Sequence, residues 1–129
     1  GLAARRSSTP QYVRQRVTNN IRTQSNGESA LHYFQIQLKP RALYLLDEPE
    51  NSLSAERQIQ LAELLYGCAR FEGCQLVLAT HSPFLLAIPG ARIYDLDTVP
   101  VETAPWTQLP NVRIYYDFFR QHQSEFEAD

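Results

Sequence analysis

Ala42-Leu43-Tyr44-Leu45-Leu46-Asp47-Glu48-Pro49 is an apolar run that ends in two adjacent carboxylates and a proline. A run this short and this apolar predicts a strand near 42–46 that is buried on both faces, because a half-buried strand would alternate and a helix would need more length. In an open parallel sheet the carboxyl ends of the strands face the ligand crevice, where Asp47 and Glu48 would then lie. Adjacent residues at a strand end point to opposite sides, so one acid can serve a metal while the other faces a reacting water. The plainer alternative is that the pair simply ends a strand and begins a loop.

Working downstream, Ser52-Leu53-Ser54 leads into a helix expected near 55–70, with Ser54 as N-cap and Glu56 in its first turn. Ile59, Ala62, Leu65 and Ala69 form its apolar stripe, which Leu61 and Leu64 widen. Gln75 to Thr80 reads as a second strand, followed by His81-Ser82-Pro83. Ser82 caps a short helix near 83–88 with Pro83 at its first position, and Pro89-Gly90 stops it. A third strand is expected near 91–96. Strand, helix, strand, helix, strand predicts an α/β fold with right-handed crossovers and a mostly parallel sheet. Pro100, Pro105 and Pro110 mark a loop with one edge strand, and Val112, Tyr115, Tyr116, Phe118 and Phe119 suit a closing helix near 111–122. Those aromatics are read as core or interface.

Upstream, Gln24-Ser25-Asn26-Gly27-Glu28-Ser29 precedes a helix expected near 28–38, with Ala30, Leu31, Phe34 and Leu38 at helical spacing. Ser25 and Glu28 fit a capping box. The same helix start, preceded by serine and glycine, also offers free N–H groups and a positive dipole end to a phosphate. Residues 1–23 form a polar, arginine-rich arm, read as solvated rather than as an anion contact.

The chain's 129 residues suffice for one modest domain. A net charge of −2 argues against a general polyanion-binding surface, so a nucleic-acid partner has no support from charge. No apolar run has membrane-spanning length and no signal peptide is evident, which leads us to expect a cytoplasmic protein. Cys68 and Cys74, the only cysteines, lack a zinc-site spacing and are read as reduced structural thiols. The start at Gly1 and the absence of Met suggest a segment of something longer.

Taken together, the serine-glycine helix start, the Asp-Glu strand end and the histidine after the second strand resemble the nucleotide-binding domain of ABC-type ATPases. The likeness is to the soluble branch related to DNA-repair and chromosome-maintenance ATPases, and it extends from about residue 24 to residue 97. Gln24-Ser25-Asn26-Gly27-Glu28 resembles that family's signature motif and Leu43 to Glu48 its Walker B strand. Ser52-Leu53-Ser54 resembles its D-loop, and Thr80-His81-Ser82 its switch-histidine loop. The resemblance implies the C-terminal portion of a P-loop NTPase domain of three layers, over residues 24–129, that binds and hydrolyses ATP with Mg²⁺.

By the same resemblance, Asp47 would hold Mg²⁺, Glu48 would act on the attacking water, and His81 would reach the γ-phosphate. Ser25, Asn26, Gly27 and Glu28 would cap the γ-phosphate of a partner subunit in a nucleotide-dependent homodimer, with Ser52 and Ser54 along the seam. Asn26, Glu28 and Ser54 depart from the commonest motifs of transport ATPases, which argues against a transporter subunit. A P-loop needs glycines before a Lys and a Ser or Thr. Here Lys39 is followed by Pro40 and no glycine lies in the ten residues before it. We therefore expect the phosphate cradle on a missing N-terminal half and this fragment to be inactive alone. Two alternatives stay open: a non-catalytic interaction module that kept the fold, and a metal-dependent phosphoesterase using Asp47, Glu48 and Glu50.

Overall fold

A computed structural model describes residues 27–128, which fall in two compact units divided between Pro89 and Gly90. In the first unit the elements run α1 (Gly27–Gln37), β1 (Leu43–Asp47), α2 (Ala55–Phe71), β2 (Gln75–Ala79) and α3 (Pro83–Leu86). The strands pair in parallel, with Leu43 opposite Gln75 and Asp47 opposite Ala79. A parallel pair needs a crossover of helical length, and α2 supplies it.

The helix limits follow from local chemistry. Ser54 takes extended angles and its hydroxyl accepts from the Arg57 N–H at 3.2 Å, opening α2. At the other end Gly73 adopts φ 70°, which brings the Cys74 N–H back to the Cys68 carbonyl at 3.2 Å. Ser82 caps α3 through the Leu85 N–H, with Pro83 at its first position.

One core joins Leu31 and Phe34 of α1, Tyr44 and Leu46 of β1, Leu53, then Leu61, Leu65 and Cys68 of α2, and finally Cys74 and Leu85. The Tyr44 hydroxyl stays satisfied by donating to the Gln37 carbonyl at 3.1 Å and accepting from the Lys39 N–H. Fully burying a leucine or phenylalanine is worth roughly 1.5–3 kcal/mol, and Phe34, Leu61 and Leu65, at 0–1% exposure, contribute at that full level.

Two expectations need correction here. The strand near 42–46 is not buried on both faces: Tyr44 and Leu46 are buried while Leu43 is 55% exposed, and in β2 Val77 is 52% exposed. Among the described residues the core lies on one side, where Leu76 and Leu78 also pack, so alternate side chains turn away from it. The stripe of α2 is likewise shifted. Leu61, Leu65 and Cys68 are its buried residues, whereas Ile59 and Ala69 are exposed.

Cys68 and Cys74 are free, buried thiols 2.6 Å apart. The Cys68 S–H donates to Cys74, and the Cys74 S–H donates to the Lys39 carbonyl at 3.1 Å, tying the end of α2 to the loop before β1. Burial first, then the hydrogen bond and charge of Cys74 and the charge of Glu72, push the Cys68 thiol up to about 12 from its ordinary 9.0. The folded-state value lies above the unfolded one, so this contribution to stability is intact below about pH 9 and is lost as pH rises towards 12. In urea titrations the unfolding midpoint should fall over that window. The fall should be smaller in Cys68→Ala, which starts about 1 kcal/mol less stable at neutral pH. Equal slopes in the two proteins would remove Cys68 as the cause.

The second unit holds β3 (Tyr94–Asp95) antiparallel to β4 (Glu102–Thr103), a 3₁₀ turn at Trp106–Gln108, α4 (Pro110–Gln121) and α5 (Gln123–Glu127). The strand expected near 91–96 is therefore not a third parallel strand. The chain turns at once after Asp95: its carboxylate accepts from the Asp97 N–H at 2.9 Å, and its carbonyl accepts from the Thr98 hydroxyl at 2.9 Å. The closing helix forms as α4, with Val112 buried and Tyr115, Tyr116, Phe118 and Phe119 about half exposed. Arg113 lies over the Tyr116 ring at 4.9 Å. Among the described residues, no helix is long and apolar enough to cross a membrane.

Candidate functional site

The parallel register brings the ends of both strands to one edge of the sheet. Asp47 is the last residue of β1 and Ala79 the last of β2. The ladder continues one step further, with the Glu48 N–H donating to the Ala79 carbonyl at 2.7 Å. Glu48 then leaves the strand with φ 49°, in the left-handed region, which costs a non-glycine residue roughly 1–2 kcal/mol. Strain held at one carboxylate is a recognised mark of a functional position. Asp47 and Glu48 are both exposed.

Three residues after Glu48 the chain turns back. The Asn51 N–H donates to the Glu48 carbonyl at 3.1 Å, and the Asn51 side chain donates to the Glu48 carboxylate at 3.3 Å. Ser52 is also left-handed, at φ 69°, and Leu53 closes the turn through the Glu50 carbonyl before Ser54 starts α2. Pro49 is fully buried beneath this turn and anchors it.

Across the edge, Thr80, His81 and Ser82 follow β2 and are held by two side chains, one from the acidic turn and one from α2. The Glu50 carboxylate accepts from the Thr80 hydroxyl at 2.7 Å and from the His81 N–H at 3.1 Å. Gln58 accepts from the Ser82 hydroxyl at 2.7 Å and donates to the Leu53 carbonyl at 3.0 Å. His81 is exposed. Asp47, Glu48, Ser52, Ser54 and His81 thus belong to two consecutive loops at one sheet edge. Asn51 and Gln58, absent from the sequence reading, join those loops or shape them. Their only signal in the sequence was nearness to the acids.

Gln24, Ser25 and Asn26 lie outside the described residues, and of Gly27 and Glu28 the structure gives only the helical backbone at the start of α1. At the opposite edge of the sheet, the ligand atoms of Cys68, Glu72 and Cys74 lie within 4.8 Å of one another, a grouping that the cysteine spacing did not reveal.

A short parallel strand pair joined by a helix, with acids and a histidine loop after the C-terminal ends of its strands, is consistent with part of an α/β NTPase-like fold. The family model described as "AAA domain, putative AbiEii toxin, Type IV TA system" matches residues 12–87, more than half of the chain, and the chain belongs to that family. It is a P-loop NTPase-like AAA domain, a kind of domain associated with nucleotide binding and hydrolysis. No curated protein matches the chain.

Proposed function

We propose that the edge formed by Asp47, Glu48 and His81 is the metal and water side of an ATP-hydrolysing site of the ABC type. The observation that supports this most is the juxtaposition of the acidic turn and the histidine loop, joined through the Glu48 N–H to Ala79 bond of 2.7 Å. In phosphoryl transfer a protein acts mainly by positioning groups and stabilising charge. Asp47, at the strand end, is the oxygen donor suited to Mg²⁺, a hard cation that keeps several waters. When bound, that ion supplies neutralisation of charge on the phosphate oxygens. Glu48 orients the attacking water and takes its proton, and the Asn51 amide holds its carboxylate for that task. His81 contacts the γ-phosphate from the neighbouring loop. Ser25, Asn26, Gly27 and Glu28, with Ser52 and Ser54, serve the nucleotide of a second copy across a head-to-tail homodimer.

This reading requires a glycine- and lysine-bearing phosphate loop, which these 129 residues do not contain. The full-length gene product should therefore hydrolyse ATP with Mg²⁺, while the 129-residue chain alone shows no heat of ATP binding in calorimetry. An open reading frame without G-x-x-x-x-G-K-[ST] upstream of Gly1 would remove the ATPase reading. Cleavage of a simple phosphodiester with Mn²⁺ or Mg²⁺ and no ATP would instead establish the phosphoesterase.

A further inference from the structure

Glu50 has a place in this site that neither the family match nor the metal-binding alternative gives it. Both of its carboxylate oxygens accept from one loop: Oε1 from the Thr80 hydroxyl at 2.7 Å and Oε2 from the His81 N–H at 3.1 Å. Thr80 is in turn fixed, because its Oγ1 also accepts from the Ser82 N–H at 3.0 Å. Glu50 is held at its own base by the fully buried Pro49 and by the Leu53 N–H on its carbonyl at 3.0 Å. The two partners are thus a rigid turn and a short loop, separated by 30 and 31 residues in sequence. Hydrogen bonds to a charged acceptor are the strong kind, roughly twice a neutral pair.

We propose that Glu50 is a positioning residue. Its carboxylate fixes the backbone of His81 against the turn that carries Glu48, so that the histidine and the acid keep one relative placement. The inference rests on the ATPase reading above for its kinetic consequence and on the two hydrogen bonds alone for its structural one. A second tie runs parallel to it, from Ser82 through Gln58 to the Leu53 carbonyl. The turn containing Ser52 and Ser54 is therefore linked to the histidine loop through both ties.

Two substitutions in the full-length protein separate positioning from metal binding. Glu50→Ala removes both acceptors. It should speed hydrogen exchange at the His81 amide about tenfold or more and lower kcat about 10–100-fold, with KM for Mg-ATP little changed. Glu50→Gln keeps an oxygen for the His81 N–H and offers its NH₂ to Thr80 Oγ1. It should recover most of the exchange protection and about a third or more of the rate, with no change in the Mg²⁺ concentration needed. If Glu50→Gln is as damaging as Glu50→Ala and raises the Mg²⁺ requirement, Glu50 is a metal ligand and the proposal fails. Unchanged His81 exchange in Glu50→Ala would also overturn it. A wild-type protein without ATPase activity defeats the functional reading and the kinetic half of the proposal, while the exchange measurement still decides whether Glu50 holds the loop.

Discussion

Glu48→Gln in the full-length protein should abolish ATP turnover, by at least about 100-fold, while leaving nucleotide binding intact and favouring a nucleotide-bound dimer. The substitution keeps the size of the side chain and still offers an oxygen to the Asn51 amide, which now lies 3.3 Å from the carboxylate. It also keeps the backbone, whose N–H bonds to Ala79 whatever the side chain. What it removes is the negative charge and the proton acceptor. The expected loss therefore falls on kcat, and KM should change little, which is the mark of an interaction made in the transition state. Turnover and nucleotide-dependent sedimentation, measured together, check both halves. Hydrolysis at the wild-type rate would sink the role given to Glu48.

The second large effect is on stability. Leu61→Ala should cost about 3 kcal/mol, inside the range of about 2–5 kcal/mol for leucine truncation in a packed core. Leu61 is 0% exposed and belongs to the cluster with Phe34, Tyr44, Leu46 and Leu65, so its loss leaves a cavity in that core. Phe71, 77% exposed at the end of the same helix, serves as the comparison, and Phe71→Ala should cost about 1 kcal/mol or less. Urea unfolding followed by circular dichroism gives both values. Similar losses at the two positions would mean that α2 does not bury the face described.

Much of the first unit was legible because its signals are local. Ser54 before a run of apolar residues at helical spacing, and Ser82-Pro83 after a strand, are capping chemistry that needs no distant partner, and both helices begin where those residues predict. The burial of β1 was misread for the opposite reason. A run of leucines says that a segment is apolar, but which neighbours cover each face is a tertiary fact, and here the core covers Tyr44 and Leu46 while Leu43 stays exposed. The third strand failed on turn chemistry, since Asp95, Asp97 and Thr98 bond among themselves and bend the chain before a ladder can lengthen. In the candidate site, motif order singled out Asp47, Glu48 and His81, and the parallel register places them at the same end of the two strands. Glu50 was weighed only as a third acid for a metal, because the sequence does not show that its partners are Thr80 and His81. Likewise nothing in the sequence says that Gln58 meets Ser82.

The distance in sequence between those partners bears on when this arrangement of loops forms. The bond from His81 to Glu50 spans 31 residues and the bond from Thr80 spans 30, with the whole crossover helix between them. Loop closure of that length must be completed before either contact returns any free energy, which places such pairings late in folding. A peptide covering the acidic turn, or a chain stopped on the ribosome before β2, lacks the loop that Glu50 bonds. The order of these segments along the chain is therefore also an order in time: the acids are synthesised first, and they meet the histidine loop only when the second strand docks beside them.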